Sequence, residues 1–169
     1  MDKELSEKIK PLAKALDKYN VKYMLVGGLA VGFYSKPRPS GNLPKGIDFD
    51  VDIWYLATIE NFTKLINAIS EIQPELKDDL FRIVFDPHKA FLKYNVDNVH
   101  FDFLPELVAF DITDFGKCYE NKEVAKVDNV PISFISKNDL ILNKKATGRP
   151  KDKKDLEYLN KNSYKGFSR

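Results

Sequence analysis

At 169 residues, with 43% hydrophobic and 31% charged side chains, the chain has material for one hydrophobic core and is too apolar for a disordered segment. Lys plus Arg number 27 and Asp plus Glu 25, a net charge of +2 that gives no bulk electrostatic argument for a nucleic-acid platform, so any basic patch must come from local clustering. The single cysteine, Cys118, excludes an internal disulfide and a zinc site built on several thiolates, and no apolar run approaches the roughly 18 residues that span a bilayer.

The charged start, Met1-Asp2-Lys3-Glu4-Leu5, has no secretory apolar region, so a soluble, cytoplasmic protein with no membrane partner is expected. Apolar residues at 5, 9, 12, 13 and 16 predict an amphipathic helix, with Pro11 inside the pattern as a point of kinking. Val21 to Val26 reads as a buried strand that ends at Gly27-Gly28, and Leu29 to Tyr34 as a short helix. Ser35 to Gly46 is dense in Pro and Gly, hence loop.

A strand from Ile47 to Tyr55 follows, then a helix through Phe62, Leu65, Ile66 and Ile69 that ends before Pro74. Leu80 to Phe85 and Ala90 to Tyr94 read as strands. Val99 to Leu104 reads as a third, joined to the second by the turn Asn95-Val96-Asp97-Asn98. A further hairpin links Glu123–Val127 to Val130–Ile135 through Asp128-Asn129. Lys137 to Ala146 and Pro150 to Leu159 read as helices, with Gly148 as C-cap and Pro150 in the next first turn. The predicted fold class is α+β: a mixed sheet flanked by helices, with a helical C-terminal tail. Residues 1–136 form the core, and 137–169 pack on it as part of a single domain.

The strand Ile47-Asp48-Phe49-Asp50-Val51-Asp52-Ile53-Trp54-Tyr55 alternates without error, placing Asp48, Asp50, Asp52 and Trp54 on one face. Aspartate is a poor strand former. Carboxylates two positions apart lie about 6–7 Å from each other and repel by roughly 2–3 kcal/mol at an effective dielectric of 20. A bound cation reverses that sign, and hard divalent ions take oxygen ligands. The simpler reading is a solvated strand face on which Asp discourages edge aggregation. Two further features favour the ion. Gly27-Gly28 stands at a strand–helix junction, where backbone N–H groups can approach phosphate oxygens. Asp102 lies in a second bulky apolar strand, on the face that carries His100 and Leu104.

Gly27-Gly28, Asp50-Val51-Asp52-Ile53 and then Asp102 together resemble the DNA polymerase β-type nucleotidyltransferase superfamily. The likeness is to its small prokaryotic branch of minimal nucleotidyltransferases and abortive-infection toxin relatives. The resemblance covers roughly residues 20 to 160 and implies a nucleotidyltransferase-like sheet. It implies that Asp50, Asp52 and Asp102 are catalytic and hold Mg²⁺ or Mn²⁺, with Asp102 also a base for the acceptor hydroxyl. Gly27 and Gly28 would cradle the triphosphate. Asp48-Phe49-Asp50 fits the same pattern; Asp50 with Asp52 is preferred because Trp54 follows. Gly46 and Asp48 stand where relatives have a basic residue and a Thr.

The segment Leu140 to Leu156, with Lys144-Lys145 and Gly148-Arg149-Pro150-Lys151-Asp152, is also similar to the tail of that branch. There Lys144 and Arg149 could reach the triphosphate, with Lys151–Asp155 spacing for an i,i+4 pair. Lys36, Arg38 and Lys45 could contact phosphates or nucleic acid, although each alone reads as solvated loop charge. The implied activity moves a nucleoside monophosphate from a nucleoside triphosphate to an acceptor hydroxyl, releasing pyrophosphate. The acceptor would be an RNA, a protein or a small molecule, and an antitoxin-like partner is a further expectation. The alternative is a catalytically silent nucleotide-binding or protein-interaction module of the same fold. His88 reads as a turn residue and Cys118 as structural. His100 reads as a satisfied strand histidine or as a residue orienting Asp102.

Overall fold

In the computed structural model, residues 3–35 and 45–161 are described. Helix α1 (Lys3–Lys18) includes Pro11 and buries Leu5, Ile9, Leu12, Ala13 and Leu16, the residues whose spacing predicts it. Strand β1 (Tyr23–Leu25) is followed by α2 (Gly27–Tyr34), which begins two residues before the expected start at Leu29. The reason is Gly27, whose φ of +61° turns the chain directly from strand into helix. Lys36 and Arg38 lie outside the described residues, and Lys45 is exposed in a turn.

Strand β2 (Phe49–Tyr55) leads to α3 (Ile59–Ile72), whose first turn is capped by the Thr58 hydroxyl accepting the Asn61 N–H. The expected strand at 80–85 is absent. A 3-10 turn (Pro74–Leu76) runs into α4 (Lys77–Phe81), and the chain beyond it pairs with no strand. Pro74 starts that turn, and Asp78 and Asp79 sit in the first turn of α4, both helix-start features. Leu80 is buried while Ile83 and Val84 remain exposed, so the apolar run has no neighbour to zip against.

Strands β3 (Leu92–Val96) and β4 (Val99–Leu104) form the expected hairpin, but with β3 two residues further along than Ala90–Tyr94, so that Asn95 and Val96 pair in the strand and the turn falls at Asp97, whose φ is +51°. A 3-10 turn (Ile112–Asp114) and α5 (Phe115–Glu120) follow. Strands β5 (Glu123–Val127) and β6 (Val130–Phe134) then meet through Asp128 and Asn129, both at positive φ as a tight hairpin turn demands. Helices α6 (Lys137–Thr147) and α7 (Pro150–Lys161) close the described chain, with Gly148 in the left-handed C-cap between them.

The six strands form one mixed sheet in the order β3-β4-β2-β1-β6-β5. β2 lies between β1, antiparallel to it, and β4, parallel to it. Val51, Ile53 and Tyr55 are fully buried on one face, where the Tyr55 ring meets Phe62 of α3 and α3 packs on α1. The opposite face carries Asp50, Asp52 and Trp54. Helices α2, α6 and α7 contact one another, and α2 also packs on β2. The fold is thus a mixed α+β sheet flanked by helices, as expected, and no helix among the described residues is long and apolar enough to cross a membrane.

Candidate metal centre

Period-two alternation in β2 and β4 sends alternate side chains to the same face, and parallel pairing sets them side by side. Asp50 is the register partner of His100, and Asp52 that of Asp102. The structure therefore brings Asp50, Asp52 and Asp102 together, from positions about fifty residues apart in the chain. Asp48 is not among them. It precedes β2, is exposed, and accepts a hydrogen bond from the Asn98 side chain at the hairpin turn. Asp48 thus stands apart from Asp50 and Asp52, the pair the sequence pattern prefers.

Asp50, His100 and Asp102 offer ligand atoms that all lie within 4.8 Å of one another. One oxygen of Asp50, Oδ1, is buried and has no hydrogen-bond partner among the described residues. A buried carboxylate oxygen without a donor is costly, and a cation is one group that removes that cost. Asp52 lies deeper, with its carboxylate against the backbone of Gly27. Burial pushes the Asp52 carboxyl up from its ordinary value, and the charges of Asp50 and Asp102 push it the same way. Lys144 and Lys151 act in the opposite direction. Donor chemistry and the orphaned oxygen both fit a divalent ion.

The β3–β4 hairpin supplies Lys93 and Asn95, which no local sequence pattern announces, and sets His100 against Asp102, one of its two sequence readings. Lys93, opposite Asp102 in register, holds its ammonium 3.2 and 3.3 Å from the two oxygens of that carboxylate. His100 places Nε2 3.0 Å from Asp102 Oδ1 and Nδ1 2.5 Å from Asn95 Oδ1. At the other end of β2, Trp54 is buried against Phe110 and Phe115 with ring centroids 5.4 and 5.0 Å away. It belongs to the core beneath the site.

The glycine pair sits where expected. Val26 donates its N–H to Asp52 O, which ties the end of β1 to the acidic strand, and Gly27 opens α2 immediately beyond. Gly28 is half-buried beside it.

The tail reaches the site in a way the sequence does not disclose. Lys144 is buried, with its ammonium 2.9 Å from Asp152 and 3.0 Å from Asp155, both also buried. In this arrangement it offers no free cation to a phosphate. Arg149 bonds Asp152 through Nε at 2.7 Å and Nη2 at 3.2 Å while remaining half-exposed. Burial alone would raise the Asp152 carboxyl; hydrogen bonds from Arg149, Lys144 and Thr147 outweigh it and hold the group well below the usual carboxylate range. Lys151, which the sequence offered only as an i,i+4 partner of Asp155, is exposed at the start of α7.

His88 bonds Glu106 from an exposed loop. Cys118 is buried on α5, and burial pushes its thiol up to about 12, so it is inert. No family model matches the chain, and no curated protein matches it.

Proposed function

We propose that this protein is a metal-dependent nucleotidyltransferase, moving a nucleoside monophosphate from a nucleoside triphosphate to an acceptor hydroxyl with release of pyrophosphate. The observation that carries this reading is the meeting of Asp50, Asp52 and Asp102 on adjacent parallel strands, beside the Gly27 turn into α2. Asp50, Asp52 and Asp102 would hold Mg²⁺ or Mn²⁺. When bound, the metal supplies positive charge that draws the phosphates in and offsets the charge that builds on the attacking and leaving oxygens.

The chain's own groups supply the rest. Backbone N–H groups at Gly27 and Gly28, at the start of α2, receive phosphate oxygens. Arg149 and Lys151, both exposed at the start of α7, attract the outer phosphates and the departing pyrophosphate. Lys144 acts indirectly: by fixing Asp152 it fixes the carboxylate on which Arg149 rests. Asp102 accepts the proton of the acceptor hydroxyl. The acceptor is an RNA end, a protein side chain or a small molecule, and an antitoxin-like partner remains part of the proposal.

The enclosure of Lys144 favours a second reading, a nucleotide-binding module of the same architecture without turnover, because it removes one cation from the leaving group. Incubation with each nucleoside triphosphate, labelled at the α-phosphate, in Mg²⁺ and in Mn²⁺ decides between them. Label transfer to protein, RNA or small-molecule acceptors, with matching pyrophosphate release that Asp50→Asn abolishes, supports the enzyme. Triphosphate binding by calorimetry with no release across all acceptors supports the silent module and overturns the enzyme.

A further inference from the structure

We infer that His100 is itself a ligand to the divalent ion, adding an imidazole to the carboxylates, so that the site selects a transition metal over Mg²⁺. This deepens the nucleotidyl-transfer reading and rests on it for the presence of an ion at Asp50 and Asp102.

The geometry begins with the hairpin register. Asn95 lies opposite His100 across β3 and β4, and its Oδ1 is 2.5 Å from His100 Nδ1. With Asn95 Oδ1 accepting from Nδ1–H, Nε2 is the ring nitrogen left on the side of the carboxylates. A backbone or side-chain oxygen holding the far ring nitrogen is the usual arrangement behind a metal-bound histidine. Nε2 points at the carboxylates, 3.0 Å from Asp102 Oδ1. A hydrogen bond joins the two in this structure, and a metal ion can take the place of its proton. Ligand atoms at right angles on an ion with bonds of about 2.1 Å stand about 3 Å apart, which is the spacing seen.

The second observation is separate from this pair. Asp50 Oδ1 is buried and unpartnered, on the strand beside His100 and in register with it. Asp50, His100 and Asp102 form the set whose ligand atoms lie within 4.8 Å, and Asp52, turned to Gly27, falls outside it. Lys93 supplies positive charge to Asp102 from an exposed side chain, which can swing away when an ion enters. Imidazole is a ligand that first-row transition ions accept readily and Mg²⁺ takes reluctantly.

The test uses the full chain loaded with Mn²⁺ and electron spin-echo spectroscopy. The chain has two histidines, so labelling histidine with ¹⁵N leaves two sources of signal. The expected result is a ¹⁴N modulation of bound Mn²⁺ that becomes ¹⁵N on labelling, survives His88→Gln and is lost in His100→Gln. Manganese affinity should fall about ten- to a hundredfold in His100→Gln. Bound Mn²⁺ with no histidine coupling in the wild-type protein overturns the inference while leaving the carboxylate site and the transferase reading intact. Failure to bind Mn²⁺ at all, with or without a nucleoside triphosphate, overturns both. The wild-type spectrum decides even if His100→Gln does not fold.

Discussion

The Oδ2 atom of Asp52 occupies the space that a side chain on residue 27 would need: a Cβ built on Gly27 would lie 1.8 Å from it. Gly27 also sits at φ +61°, where an L side chain is strained by about 1–2 kcal/mol. Two independent constraints, one from the backbone and one from the Asp52 carboxylate, therefore converge on a single glycine.

Gly27→Ala is expected to lower stability by at least about 1 kcal/mol and to displace Asp52. Urea denaturation reads the first effect and Mn²⁺ titration the second. A variant with wild-type stability and wild-type affinity would show that the contact constrains nothing.

Asp52 should cost stability when no ion is bound. Its folded carboxyl titrates above the unfolded one, so the unfolded chain loses its proton first as pH rises. Stability therefore falls from the unfolded value, about 3.9, up to the raised folded value and is level beyond it. Asp52→Asn removes that loss. In chelator at pH 7 its melting temperature should rise, with no gain below the unfolded carboxylate value. A lower melting temperature in chelator at pH 7 would contradict this.

Lys144→Met should destabilise the protein by about 3–5 kcal/mol, because Asp152 and Asp155 are left buried without their ammonium. The depressed Asp152 carboxyl adds an acid limit: its contribution is complete above the ordinary Asp value and drains away as pH falls towards the folded one. Denaturation between pH 7 and pH 2 measures both. A stable variant whose only defect is a raised KM for nucleotide would instead make Lys144 a phosphate ligand.

Lys151→Ala tests the opposite case. Being exposed, it should change stability by less than about 0.5 kcal/mol. If it meets the phosphates, nucleotide affinity should drop about tenfold, and the loss should shrink as salt is raised. Calorimetry at two ionic strengths is the measurement; unchanged affinity removes Lys151 from the site.

Much of the site was legible because period two is strict: the alternation of Asp50, Asp52 and Trp54, and the placement of Asp102 with His100, follow from counting along two strands. The hairpin turn at Asp128-Asn129 was legible because both residues take positive φ, and that of the β3–β4 hairpin only in part, since the expected turn began two residues early, at Asn95. What failed was inference from apolar content alone. Leu80 to Phe85 has strand-like residues, yet the helix-start features upstream of Leu80 prevailed. Conversely α5 went unassigned although Asp111 and Asp114 cap its approach reciprocally. Lys144 misled because its partners, eight and eleven residues away, lie across the Gly148 turn, beyond the i,i+4 reach of helix rules. Lys93 and Asn95 depend on strand register, which local composition does not encode.

The parallel pairing of β2 with β4 carries a kinetic consequence. No fragment and no early hairpin contains this centre, because residues 50 and 102 become neighbours only when a long crossover has closed. During refolding, capture of Mn²⁺ should lag behind the appearance of helical signal, so a paramagnetic ion added to a renaturing chain becomes a clock for the slowest step of sheet assembly.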